Sequence, residues 1–543
     1  MGINELFMEK LRLDGPAYLQ PALILLKKDG SEFEYSWFEY KEKALHAMKG
    51  LEDRNLKPGE PVAIIALNLP ESFFIMLGAI LMGAVPVPIN VMLLKDTEQK
   101  ELKKILDDCR PALVLGNQCL KKLLPEYCIT MEQIITEGKA SLAGRPIGKD
   151  VHPVPRQITI PASRRLPQDM LIMPYTSGTN GQPKGVMLSE AGIIDRVSAT
   201  MNELKIGNQE RIFSHAPLGH IAALIADFFG QIYSGYTIYF SEHIEDRIND
   251  REKFKKVFPK ILRQVQPTVF LDPPLVWENF RIAIEKKIKK PFLSTLRKCG
   301  FINGLIIGMV KRKLGFPHTR IFISAADKIK KKETEFFRKL EMPLNDIYGQ
   351  TETGGPILIN GRPIGNVKVE INQDGEITVE GPSVMLGYFN NPEATAKAIQ
   401  EIAGKIYSTG DLGKKESNGQ ITYTGRVGRG FKLSNGEEVD DQKVYEMENE
   451  IKKIEGIEEA IICGEGKPHP MALLFYDPNR RPFAKISSNV QQRIYQIGER
   501  HWKIKKFILS DKKELILTPT LKVRTKAVIE KFQKLVDQAY ENG

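Results

Sequence analysis

A disulfide framework is the first thing this sequence lacks the means to build. Its 543 residues hold five cysteines, Cys109, Cys119, Cys128, Cys299 and Cys463, an odd number with no CxxC pair. Scattered in this way they exclude a disulfide-stapled scaffold and a cysteine zinc site, and they point to reduced thiols in a cytoplasmic setting. No apolar run reaches the roughly 20 residues of a membrane-spanning helix. Two shorter runs stand out, FFIMLGAILMGAV (73–85), which stops at Pro86, and CGFINGLIIGMV (299–310). The second is flanked by lysines and arginines; a buried core helix is the expected reading, with a peripheral membrane contact as the alternative. The opening MGINELFMEKLRLDG has no apolar stretch of the kind a secretory leader needs, and Leu6 occupies the position where myristoylation wants Ser or Thr. Aromatic-interleaved basic stripes, zinc spacings and RNA-binding signatures are missing too, which removes nucleic acid from the expected partners.

What remains is an ordinary globular composition, with 42% hydrophobic and 27% charged residues. The length suits three or four folding units of roughly 150 residues each. A formal net charge of +11 fits anionic partners such as nucleotides, coenzyme phosphates or acidic lipid surfaces.

Along the chain, VAIIAL after Pro61 reads as a buried strand, ESFFIMLGAILMG as an apolar helix, and AVPVPIN as a second strand. The amphipathic TEQKELKKILDDC and the strand ALVLGN (112–117) follow. This alternation predicts βαβ units and a parallel sheet covered on both faces. It recurs with helices near 190–204 and 221–233 and strands at RIFSHAP, YTIYF and TVFLD. Beyond about residue 360, short strands with Gly and Asn turns predict a small β-rich subdomain. A compact piece with strands AIICGE and MALLFYD then ends in the helix TKAVIEKFQKLVDQAY. The glycine- and arginine-rich GRVGRG (425–430) reads as a hinge, dividing an N-terminal domain, 1–428, from a C-terminal domain, 429–543.

YTSGTNGQPKGVMLS (175–189) carries the strongest chemical signal. Gly178, Gly181 and Gly185 let the backbone approach an anion, Thr176, Ser177 and Thr179 can donate to phosphate oxygens, and Lys184 adds charge. It is a phosphate cradle of a kind distinct from a Walker loop, because Lys184 is followed by Gly185 rather than Ser or Thr.

This segment resembles the nucleotide-binding signature of the adenylate-forming superfamily, which includes acyl-CoA synthetases, luciferases and peptide-synthetase adenylation domains. Asn180 stands where that family usually has threonine. Further family motifs follow in order: HAPLGHI (215–221), YGQTETGG (348–355), STGDLG (408–413), GRVGRGFKLSNGEEV (425–439) and LTPTLKVRTK (517–526). The resemblance covers nearly the whole chain. It implies an α/β fold in which layered α/β subdomains and the β-rich subdomain form a large N-terminal domain, followed by a mobile α+β C-terminal domain.

Residue by residue, the resemblance implies that Tyr348, in Tyr348-Gly349, stacks on adenine, that Thr351 contacts the α-phosphate, and that Glu352 ligates magnesium, with Thr176 as a further metal ligand. It gives Asp411 the ribose hydroxyls, Arg426 the ribose or phosphate, and Lys432 the thiol-dependent step. Lys522 becomes the catalytic lysine, with Arg524 and Lys526 as alternatives, and His220 the gate of the acyl pocket. The family's hinge Asp or Lys falls at Arg429 here, after Gly428. SAAD (324–327) replaces the family's Ser-Gly-Gly-Ala in a segment that lines the acyl and adenine pockets, which makes Ser324, Ala325 and Ala326 substrate-binding positions. FLDPPLVWENF, KRKLGFPHTRIFISAADKI and FKLSNGEEVDD resemble the long-chain and very-long-chain fatty acyl-CoA synthetases. The expected substrates are therefore ATP with Mg²⁺, a long-chain fatty acid, and CoA or a carrier-protein thiol. A fatty acyl-AMP ligase and a silent nucleotide-binding relative are the alternatives.

Overall fold

The computed structural model describes residues 2–11, 20–95, 99–143, 166–177, 182–287, 300–401, 404–479, 483–498, 502–517 and 523–541. The chain is α/β and divides into two compact units: Met1–Val369 with Val379–Tyr407, and Glu370–Thr378 with Ser408–Gly543.

The larger unit is built on a nine-stranded sheet whose order runs Arg362–Pro363, Gly355–Ile359, Leu344–Gln350, Ile321–Ala325, Val269–Asp272, Arg211–Phe213, Thr237–Ser241, Pro21–Leu26, Glu32–Ser36. The six central strands are parallel and the edges antiparallel. Apolar runs such as IFISA are buried along their whole length, as a strand covered by helices on both faces requires. Trp277, Phe270, Phe316, Phe322 and Phe337 fill the space beneath one face. A second, four-stranded parallel sheet is ordered Val85–Asn90, Pro61–Ala66, Leu113–Gly116, Ile129–Thr130. The prolines of VPVPIN fall on its edge strand, where the missing N–H groups cost no ladder bond.

The helix Gly300–Leu314 begins inside the run that reads as a core helix. Its Ile307, Val310 and Leu314 pack into the aromatic core, whereas Met309 is exposed. No helix among the described residues is long and apolar enough to cross a membrane.

Within the smaller unit, the strands Ile457–Cys463, Met471–Tyr476 and Lys506–Asp511 form a three-stranded sheet. The helix Asp441–Lys452 covers one core, around Ile451, Leu474 and Ile486, and Thr525–Glu541 covers another, around Phe475, Phe532 and Val536. Two apolar faces on one short sheet explain why the sequence here alternates so little.

Candidate active site

The strand Tyr175–Ser177 pairs antiparallel with Pro183–Ser189, which sets Tyr175 opposite Gly185, Thr176 opposite Lys184 and Ser177 opposite Pro183. Gly178, Thr179, Asn180 and Gly181 lie outside the described residues, between these two strands. Gly185 has a local reason to be glycine: a Cβ there would lie 2.9 Å from Cζ of the Tyr175 ring. That ring is anchored in turn, since Tyr175 OH donates to Asp108 Oδ2 at 2.5 Å. At its far end the second strand runs into the helix Glu190–Glu203, which Ser189 caps by accepting from the Gly192 N–H. Buried Arg196 of this helix donates to the carbonyls of Pro356 and Ile364 at 3.0 and 3.1 Å, tying the hairpin to the sheet edge.

Across from the hairpin, Tyr348 and Gly349 end the strand Leu344–Gln350, and Thr351–Thr353 make a single 3₁₀ turn. Thr353 is fully buried; its backbone and hydroxyl close the turn with Gln350, and its Oγ1 also donates to Gly355 O at 2.8 Å. The turn is held so that Glu352 and Thr351, both half-buried, stand on its outer side. Gly349 permits this, because a Cβ there would meet the Gly355 carbonyl oxygen at 2.2 Å. Gly349→Ala is expected to cost about 1–3 kcal/mol by overpacking against backbone, read as a lowered melting temperature.

Lys184 and Glu352 meet on one residue. Tyr388 pairs with Val186 on the other side of the hairpin strand. Its hydroxyl donates to Glu352 Oε1 at 3.0 Å, and the Lys184 ammonium lies 4.5 Å from its ring centroid. This tyrosine is not among the residues that the sequence motifs single out. Only the strand register discloses it.

Ser324 and Ala325 end the parallel strand Ile321–Ala325, the carboxyl end where open α/β sheets bind ligands. Ser324 is buried and its hydroxyl has no hydrogen-bond partner among the described residues. Ala326 adopts φ +77°, a left-handed conformation that suits the glycine it replaces. Ala325 lines a partly open cavity of about 50 Å³, together with Phe213, Ile225, Ala226, Ile323 and Ile347. His220 is not among its lining residues and instead holds Asn90 Nδ2 at 3.2 Å. The cavity wall contains a π-helical stretch, Leu224–Phe229. Asp227 of that stretch accepts from Ser214 Oγ at 2.7 Å, and burial pushes its carboxyl up to about 7.

In the smaller unit, Asp411 and Arg426 face each other across a hairpin, with Nε 3.0 Å from Oδ1 of the buried carboxylate. Arg429 donates to Glu448 at 2.6 Å and to Thr525 Oγ1 at 3.1 Å. Asp441 accepts the backbone N–H groups of Gly428, Arg429 and Gly430, which joins the predicted hinge segment to the first turn of the helix Asp441–Lys452. Lys432 is exposed on a short strand. Lys522 lies outside the described residues; the neighbouring Val523 bridges to Leu517.

A family model described as "AMP-binding enzyme" matches residues 16–389, and one described as "AMP-binding enzyme C-terminal domain" matches 431–543. The long-chain-fatty-acid–CoA ligase ACSBG2 of Mus musculus is 28% identical over 86% of this chain and 75% of its own length. Among solved structures, ATP-bound MatB from Rhodopseudomonas palustris shares the fold with a TM-score of 0.72 at 20% identity, covering 98% of this chain and 100% of that one. O-succinylbenzoate coenzyme A synthetase from Bacillus subtilis, in complex with AMP, superposes with a TM-score of 0.68 at 19% identity, over 96% and 97% of the two chains. With a family model spanning residues 16–389 and a second covering the C-terminal part, the chain is an enzyme of the AMP-binding, adenylate-forming family.

Proposed function

We propose that this enzyme activates a long-chain fatty acid with ATP and transfers the acyl group to the thiol of CoA. The observation that carries the reading is the Lys184–Tyr388–Glu352 cluster beside the hairpin that resembles the family's phosphate cradle, with an apolar cavity lined by the strands Ile321–Ala325, Leu344–Gln350 and Gly355–Ile359. Ile347 and Pro356 line that cavity and are, respectively, the chain neighbour of Tyr348 and the register partner of Gly349.

A carboxylate acylates poorly because its leaving group would be oxide. Its oxygen instead attacks the α-phosphorus of ATP; the new P–O bond forms as the bond to the bridging oxygen breaks, and pyrophosphate leaves with its electron pair. The product is an acyl-adenylate, whose leaving group is AMP. Negative charge gathers on the phosphoryl oxygens during this step. Lys184 and the hydroxyls of Thr176, Ser177, Thr179 and Thr351 are placed by the resemblance to stabilise it. A thiolate sulfur then attacks the acyl carbon and AMP departs.

The donor set fits magnesium. Glu352 offers a single half-buried carboxylate and Thr176 a hydroxyl, both hard oxygen donors, and among the described residues Glu352 has no cationic partner. Magnesium commonly takes one or two protein carboxylates and completes its shell with phosphate oxygens and water. Bound there, it would supply charge neutralisation for the polyphosphate. By resemblance, Tyr348 takes adenine, Asp411 and Arg426 the ribose, and Lys432 the thiol step. The division at 428/429, with Arg429 at the hinge, is proposed to separate the two half-reactions in time.

A fatty acid as substrate is supported by the relatives' names, long-chain-fatty-acid–CoA ligases, and by the apolar walls of the cavity. Each buried methylene contributes about 0.8 kcal/mol. Ala226→Phe fills the cavity from its π-helical wall; exchange with long acids is expected to fall at least tenfold, on the order of the 1–3 kcal/mol such pockets discriminate, while exchange with acetate persists. The reading as a whole is tested by acid-dependent ATP–pyrophosphate exchange over acids from acetate to very long chains, followed by AMP release with CoA against an acyl carrier protein. Absence of exchange with every acid would refute it. Faster release with the carrier protein would move the acceptor to a protein-borne thiol.

A further inference from the structure

We infer that Tyr388 is a positioning residue which keeps Lys184 and Glu352 apart and aimed for nucleotide, an inference that rests on the proposed adenylation reaction. An ammonium and a carboxylate serving one small polyphosphate site have a competing option, which is to pair with each other. A lysine consumed in that way is lost to phosphate, and a carboxylate consumed in that way is lost to the metal. The structure shows a phenol between them. The Lys184 ammonium lies over its face, 4.5 Å from the centroid, and Glu352 Oε1 accepts from its hydroxyl at 3.0 Å. Among the described residues neither Lys184 nor Glu352 enters an ion pair.

Each contact has a distinct use. The ring face attracts the cation weakly, so incoming phosphate, which binds an ammonium through charge-assisted hydrogen bonds, can draw Lys184 away. The hydroxyl occupies one oxygen of Glu352 and leaves the other for a metal, orienting the carboxylate as a partner behind a metal ligand does. Tyr388 can hold this place because its own backbone is anchored on both sides. Its N–H donates to Thr395 Oγ1 at 2.9 Å, and the next residue, Phe389, donates to the Gly185 carbonyl at 2.8 Å. With a relative exposure of 7%, the ring is fixed rather than free to swing.

Two substitutions separate the contacts. Tyr388→Phe keeps the ring and loses the hydroxyl; Tyr388→Leu loses both. Y388F is expected to raise the Mg²⁺ half-saturation of pyrophosphate exchange by about tenfold, within the 10–100-fold typical for removing a partner behind a metal ligand, with little change in kcat at saturating Mg²⁺. Calorimetric binding of ATP without acid should weaken by the same factor when Mg²⁺ is present and stay at the parent's value when it is absent. Y388L should weaken ATP binding in both conditions, because Lys184 is then free to collapse onto Glu352. If Y388L melts early, the Mg²⁺ dependence of Y388F decides between the two outcomes by itself. Parent-like Mg²⁺ dependence in Y388F overturns the inference, as does identical behaviour of two folded variants. A parent enzyme that shows no acid-dependent exchange would instead overturn the adenylation reading, so the two failures are distinguishable.

Discussion

Glu352→Gln is expected to slow acid-dependent pyrophosphate exchange on the order of 10²–10³-fold, the usual loss on removing one preorganised electrostatic contact to a transition state. Glutamine has the same length, and its amide oxygen can still accept from the Tyr388 hydroxyl that now holds Oε1 at 3.0 Å. The Gln350–Thr353 turn that presents residue 352 depends on Thr353, the Gln350 side chain and backbone groups, none of which changes. The melting temperature should therefore stay at the parent's value while the Mg²⁺ requirement rises. ATP binding measured without Mg²⁺ should be no weaker than the parent's, because the substitution removes a negative charge from beside the phosphates. A variant that exchanges at the parent's rate across all Mg²⁺ concentrations would take Glu352 out of the reaction.

How much of the fold and site is legible in the sequence depends on the range of the interaction. The alternating apolar runs from Pro61 to Gly116 predict parallel strands, and the structure has them, with Pro86 and Pro88 on an edge where proline is tolerated. Helices expected near 190–204 and 221–233 appear at Glu190–Glu203 and across Ile221–Ser234. RIFSHAP reads as one strand, but only Arg211–Phe213 is strand. The reason lies past its end, where Ser214 and His215 turn to bond Asp227 and Asp272. Such partners are fixed by tertiary register, which no local pattern encodes.

The same reason hides Tyr388. Its role arises from pairing with a strand two hundred residues earlier and from a turn 36 residues earlier, so GYFNNPE alone can show only a bend. Ala326 is the opposite case. Its departure from the family glycine is visible in SAAD, and the φ of +77° shows why glycine would be at ease there. Likewise Arg429 departs visibly from the usual hinge residue, while its partners Glu448 and Thr525, and the three N–H groups gathered by Asp441, cannot be read from spacing.

Lys522→Ala is expected to cut adenylation on the order of 10²–10³-fold and to spare the second half-reaction. The resemblance of LTPTLKVRTK to the family's catalytic-lysine motif gives Lys522 the task of meeting charge that develops on the α-phosphate. A lysine cation is needed there only while pyrophosphate is leaving. Thioester formation from an acyl-adenylate expels AMP, which already carries its charge, so that step has no comparable demand for it. The loss should appear in pyrophosphate exchange and be absent when synthetic acyl-adenylate and CoA are supplied directly. Stability is expected to be unchanged, since the described residues flanking this position have their own supports: Val523 bridges to Leu517, the Arg524 N–H donates to Ile516 O at 2.8 Å, and Val528 is buried in the core under Thr525–Glu541. The competing assignments are tested by the same pair of assays. If Arg524→Ala or Lys526→Ala loses exchange while Lys522→Ala keeps it, the catalytic cation belongs to that residue instead. If all three keep it, the tail motif has no part in adenylation, and Lys184 is left as the cation that meets the transition state.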